Sequence, residues 1–198
     1  MFYLFFLIFI LLVLALFFSV FKAGKFGIIA KVFRVAVLVI SVAVFAIYFV
    51  SRSLDSFGEN AMPLKVVNKL PIPLDFYVIK QNDSTQNSAK FVTIHLGSIR
   101  SNFFRTEHLD MKNADQYWIT GFMGKKNLVY FSQHSVPDKK ISQLVEVKNY
   151  INQSVKLSEI ARNQISEAQL EASKISVWVT LDLLLIFLNL GVFFRKKP

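Results

Sequence analysis

"TLDLLLIFLNLGVFF", Thr180–Phe194, is an apolar helix-forming run with an aspartate near one end and an asparagine seven residues further on. An ionised carboxylate in hydrocarbon costs at least about 2.5 kcal/mol on insertion scales. What surrounds this run decides whether it lies in a membrane, and why Asp182 is in it.

The chain has 198 residues, 54% of them hydrophobic, and a mean hydropathy of +0.44. Charged residues make up 18%, below the roughly 25% of an ordinary soluble domain. The apolar excess sits at the two ends, which points to a membrane protein with a water-exposed middle.

Three spans follow from the apolar runs. "FYLFFLIFILLVLALFFSVF", Phe2–Phe21, carries no charge and is long enough for a hydrocarbon core of roughly 30 Å. It has no basic segment before it and no small-residue cleavage site after it, so it reads as a retained span. Ile28–Val50 is the second span. Lys31 and Arg34 lie in its first turns and can extend to the headgroups, and Tyr48 fits an interfacial belt. "KAGKFG" between these two runs is a tight turn, so residues 1–50 form a helical hairpin. The third span is 177–194, with Trp178 at one interface and the tail 195–198, "RKKP", at the other.

The net charge of +10 invites a nucleic-acid reading, but its distribution argues against one. Lys22, Lys25, Lys31, Arg34, Arg195, Lys196 and Lys197 carry most of the excess, while residues 51–174 hold sixteen basic and twelve acidic residues. That middle is a solvated surface and not a polyanion footprint. Those seven basic residues set the orientation instead. With three spans, the hairpin turn and the C-terminus share a side, which the positive-inside rule makes cytoplasmic. The N-terminus and residues 51–176 are then expected outside, in the periplasm at a bacterial inner membrane.

Residues 51–62, "SRSLDSFGENAM", are a polar linker. Residues 63–136 are expected to form a small α+β domain of four or five strands. "LDFYVIK" (74–80) reads as a strand and "KFVTIHLG" (90–97) alternates with strand period. "QYWITGF" and "NLVYFSQ" flank "MGKK" as a hairpin with Gly124 in the turn. Residues 98–114 have no clear assignment, a short helix or an excursion. From Asp138 to Leu190 there is no Gly or Pro, and Ser135 with Asp138 resembles a helix cap around Pro137. A long amphipathic helix over 137–176 is therefore expected to run on into the third span, some 80 Å in all.

Asp182 and Asn189, seven apart, share a helix face within about 20°. Three readings of that stripe stay open. Asp182 can bond within its own chain, with Tyr48 and Arg52 at the outer end of the second span as partners. It can dock another subunit's helix. Or it can serve a proton or ion path, which usually needs a chain of titratable groups.

No catalytic motif is present. His95, His108 and His134 are isolated and lack metal-ligand spacing. The chain has no cysteine, which removes disulfides, thiolate metal sites and Cys nucleophiles. No metal and no cofactor is implied. The sequence reads as a non-catalytic integral membrane subunit or scaffold of a bacterial envelope complex for secretion, motility, division or transport. Its partners would be the lipid bilayer and other membrane or periplasmic proteins, further copies of itself included, and no nucleic acid. The alternative is a proton- or ion-coupled transport or motor subunit that uses Asp182.

Overall fold

The computed structural model describes residues 2–21, 24–54, 61–82, 91–124, 126–139 and 141–194, with the side chains of 52–54 left out. The chain divides into two compact units, one of Met1–Ser51 with Gln169–Pro198 and one of Arg52–Ala168.

The first unit is helical. It contains α1 (Phe2–Phe18), α2 (Gly24–Leu54) and the C-terminal part of the last helix, α3 (Val155–Phe194). Two of these, α2 and α3, are long and apolar enough to cross a membrane by length and composition, and α1 is shorter. Buried positions repeat with a 3–4 spacing: Phe5, Ile8, Leu12 and Ala15 on α1 face Val37, Leu38 and Phe45 on α2 and Ile186 on α3. That is the seam expected of helices packed side by side. Phe5 stacks on Phe45 at 5.5 Å and meets Tyr48 edge-on at 5.1 Å. Trp178 is ringed edge-on by Phe2, Phe6 and Phe9 at 5.8, 5.2 and 5.3 Å. Phe18 meets Phe33 at the opposite end of α1. These contacts make α1 and α3 run in the same direction, with α2 antiparallel to both.

The second unit is built on seven strands: β1 (Ala61–Asn68), β2 (Leu74–Asn82), β3 (Phe91–Ile99), β4 (Phe104–Asp110), β5 (Ala114–Met123), β6 (Asn127–Ser135) and β7 (Gln143–Val147). They form a three-stranded sheet in the order β4-β1-β7 and a four-stranded sheet in the order β3-β2-β5-β6. All pairings are antiparallel except β1 with β7. The inward faces share one core, with Met62, Leu64 and Val66 of the first sheet against Phe76, Val78, Tyr117 and Ile119 of the second. The far face of the four-stranded sheet carries Tyr77, Ile79, Trp118 and Phe131, covered by Leu157, Ile160, Ala161 and Ile165 of α3. The hairpin around Gly124 is present, with Met123 paired to Asn127 and Gly124 at φ +67°.

Two expectations need correction. The helix does not start at 137. Ser135 ends β6, residues 143–147 form β7 beside β1, and α3 begins at Val155. The reason is local: "QLVEV" alternates with period two, burying Val145 and Val147. The real cap lies later, where the Ser154 hydroxyl accepts from the Leu157 N–H at 3.3 Å and Asn152 Oδ1 accepts from the Ser154 N–H. The small domain is correspondingly larger than 63–136, beginning at Ala61 and closing with β7. Residues 98–114, left without an assignment, hold the end of β3 and the whole of β4.

Asn68 holds the turn that follows β1. Its side chain donates to the carbonyls of Ile72 and Ile99, both at 2.8 Å, and accepts from the Leu70 N–H at 3.0 Å. A fully buried amide satisfied in this way fixes one loop geometry.

Candidate functional site

The helical unit has an apolar outer surface and buries several polar side chains within its apolar seam. Arg34, Ser41, Asp182 and Asn189 are buried in it, and among its described residues Arg34 and Asp182 are the buried charged side chains. Leu4, Leu7, Val13, Phe17, Val39, Phe49, Leu184 and Phe187 are exposed on its surface.

The polar residues follow the heptad. Arg34, Ser41 and Tyr48 recur every seven residues on α2, as Ile175, Asp182 and Asn189 do on α3. Arg34 Nη2 donates to the main-chain carbonyl of Asn189 at 3.4 Å. Ser41 lies one heptad along α2 from Arg34, and Asp182 one heptad back along α3 from Asn189. Asn189 Nδ2 donates across to the Leu12 carbonyl at 3.2 Å and back to Leu185 at 2.9 Å. The amide therefore ties α1 to α3, as polar groups between apolar helices do. The Arg34 guanidinium also lies 6.0 Å from the Phe193 ring centroid.

Asp182 is different. It is 0% exposed, and neither carboxylate oxygen meets a hydrogen-bond partner among the described residues. The Arg34 Nε and Asn189 Oδ1 are unpartnered in the same interior. Tyr48, expected to bond Asp182, instead packs on Phe5 and Phe49. The side chain of Arg52, the other expected partner, lies outside the described residues. Asp182 is buried within its own bundle. Arg34, read from the sequence as a topology residue that extends to headgroups, lies instead on the buried line. The signal for it was the seven-residue spacing to Ser41 and Tyr48. Lys25 and Lys31 are exposed on α2, and Lys22, Arg195, Lys196 and Lys197 lie outside the described residues.

No family model, curated protein or solved structure matches this chain. What the site can do must come from its own chemistry.

The histidines of the second unit do not assemble a centre. His95 Nε2 lies 2.7 Å from Asp75 Oδ1 and its ring stacks on Tyr77 at 4.4 Å, with the Tyr77 hydroxyl donating to Asp75 Oδ2 at 3.0 Å. His134 Nε2 lies 2.8 Å from the buried Ser132 hydroxyl, and its ring stacks on Tyr117 at 5.1 Å. Burial lowers the His134 pKa. His108 is exposed on β4. Among the described residues no three His, Asp or Glu side chains converge as metal ligands.

Proposed function

We propose that this chain is a non-catalytic integral membrane subunit of a bacterial cell-envelope complex, with three helices in the inner membrane and the sandwich in the periplasm. The observation that carries this reading is the apolar outer surface of the helical unit, with Arg34, Asp182 and Asn189 buried inside it. In water, Arg34, Asp182 and Asn189 would lie outside and the Phe and Leu side chains inside. In lipid the preference reverses, because hydrocarbon solvates the apolar surface and polar groups find partners only between helices. The shared direction of α1 and α3 suits an odd number of crossings. The basic residues of the hairpin turn and tail then favour a cytoplasmic C-terminus. The sandwich supplies a folded surface for partners from secretion, motility, division or transport machinery.

A second reading is favoured by one specific observation, the unpartnered Asp182 carboxylate. A proton- or ion-coupled subunit would use that group as its titrating or cation-binding position, with the buried Ser41 in the same unit.

The test is gentle solubilisation of native membranes carrying the tagged protein, followed by native mass measurement and identification of co-purifying chains. Partners at fixed stoichiometry support the subunit reading. A chain that runs alone, and whose proton or sodium flux in liposomes is abolished by Asp182→Asn, supports the second reading.

A further inference from the structure

The two outward sheet faces of the sandwich are treated differently. α3 covers the four-stranded sheet. The outer face of the three-stranded sheet carries no such cover among the described residues. Its register sets Leu144 and Thr106 beside Lys65, and Phe104 and Glu146 beside Val67. Phe104 is 58% exposed and Leu144 61%. Lys65 Nζ lies 3.9 Å from the Phe104 ring centroid, and Lys69 follows β1 exposed. Two acids share this face: Asp110, level with Ala61, and Glu146, which is tied to Lys148 at 2.7 Å and also attracted by Lys69. The result is an apolar strip bordered by Lys65, over the Phe104 ring, and by Lys69.

The complementary surface is on the same chain. On α3, Glu167, Leu170 and Glu171 stand at i, i+3 and i+4, one face of the helix. All three are exposed, Leu170 by 57%, and Lys174 follows one turn on. An apolar side chain between two carboxylates matches an apolar strip beside two lysines in both charge and character.

We propose that the β4-β1-β7 face of one copy seats on the Glu167–Glu171 stretch of α3 in a second copy, with Lys65 and Lys69 opposite the two carboxylates and Leu170 against Phe104 and Leu144. This contact makes the chain a self-assembling one. It does not use the buried polar residues Arg34, Asp182 and Asn189 of the helical unit.

The cysteine-free chain makes the test direct. Two differently tagged full-length proteins, Lys65→Cys and Glu171→Cys, are mixed in detergent and oxidised. A disulfide-linked heterodimer is expected from that pair and not from Lys112→Cys with Glu171→Cys. Native mass measurement gives the second arm. Lys65→Glu weakens self-association about tenfold or more, and adding Glu171→Lys restores it. A monomeric wild-type protein overturns the proposal. So does a dimer that forms no Lys65–Glu171 cross-link, or one indifferent to the charge exchange, including a face occupied by a different protein.

Discussion

Arg34 and Asn189 meet across the helical unit through a single long hydrogen bond, from the guanidinium to a main-chain carbonyl at 3.4 Å. A neutral acceptor of that kind offsets little of the cost of burying a cation. The opposite charge in the same interior, Asp182, is one helical heptad away from Asn189 and bonded to nothing among the described residues. The unit therefore holds two buried charges of opposite sign that do not meet. The Asn189 amide nitrogen donates to the Leu12 and Leu185 carbonyls, while its Oδ1 has no partner among the described residues.

Asp182→Leu is therefore expected to leave the thermal stability of the detergent-solubilised protein unchanged or raise it, by about 1–3 kcal/mol, since it removes an unsatisfied buried group. Asn189→Leu should lower it by about 1–2 kcal/mol, because the Leu12 and Leu185 carbonyls lose a donor. Thermal unfolding followed through Trp178 fluorescence in a Trp118→Phe background separates the two. A large loss with Asp182→Leu would mean that the carboxylate has a structural partner.

In the sandwich, Asn68→Ala is expected to cost about 3 kcal/mol or more. It strands two carbonyls and an amide that now bond to one side chain. Urea unfolding followed through Trp118 in a Trp178→Phe background measures it. A loss below about 1 kcal/mol would show that water replaces the amide.

Gly121→Ala should destabilise the sandwich by overpacking, by about 1–3 kcal/mol. An added Cβ would stand 3.1 Å from Phe76 Cε1 and 3.2 Å from both Leu74 Cδ1 and Tyr130 Cβ. Gly124→Ala meets no neighbour and differs only in its positive φ. The same unfolding experiment should rank Gly121→Ala as the costlier change.

The stability of the sandwich should form a plateau in pH with a limb on each side. Burial, with Tyr130 adding to it, pushes the Tyr117 hydroxyl up to about 12. The folded state thus keeps a proton that the unfolded chain releases near 10, and stability falls as pH rises from 10 to 12. Burial lowers the His134 pKa, so the unfolded chain takes up a proton first, and stability falls as pH drops below about 6.5. Further down, Glu146 is held below its ordinary range by its hydrogen bond to Lys148 and their charge attraction, and protonating it removes that contribution. Tyr117→Phe should flatten the alkaline limb and His134→Gln the limb just below 6.5. Denaturation midpoints across pH report both, and unchanged limbs in these variants would assign the transitions to other groups.

Some of this architecture was legible in the sequence and some was not. The apolar runs that become α1 and α2 were, because their hydrophobicity is continuous. The β5–β6 hairpin was legible from Gly124 between two alternating runs. β4 was not, because an edge strand reading "FRTEHLD" buries one residue, Leu109, and offers no apolar periodicity. β7 was missed because its five residues sit in a stretch without Gly or Pro, where continuity suggested helix. The cap that ends that ambiguity, Asn152 and Ser154, lies inside the same stretch without Gly or Pro, where no apolar periodicity marks it. The common face of Asp182 and Asn189 could be derived from helical geometry. Arg34's burial was signalled only by its seven-residue spacing to Ser41 and Tyr48, and a basic residue near a helix end reads equally well as a headgroup contact.

The central claim, that the helical unit lies in a membrane with the sandwich on the outer side, is best tested by single-cysteine accessibility in this cysteine-free chain. Lys148→Cys and Lys25→Cys are expressed separately in intact spheroplasts and treated with a membrane-impermeant thiol reagent. The account predicts labelling at position 148 in intact cells and at position 25 only after permeabilisation. Equal labelling at both positions in intact spheroplasts, or protein released from the membrane by alkaline carbonate, would contradict it.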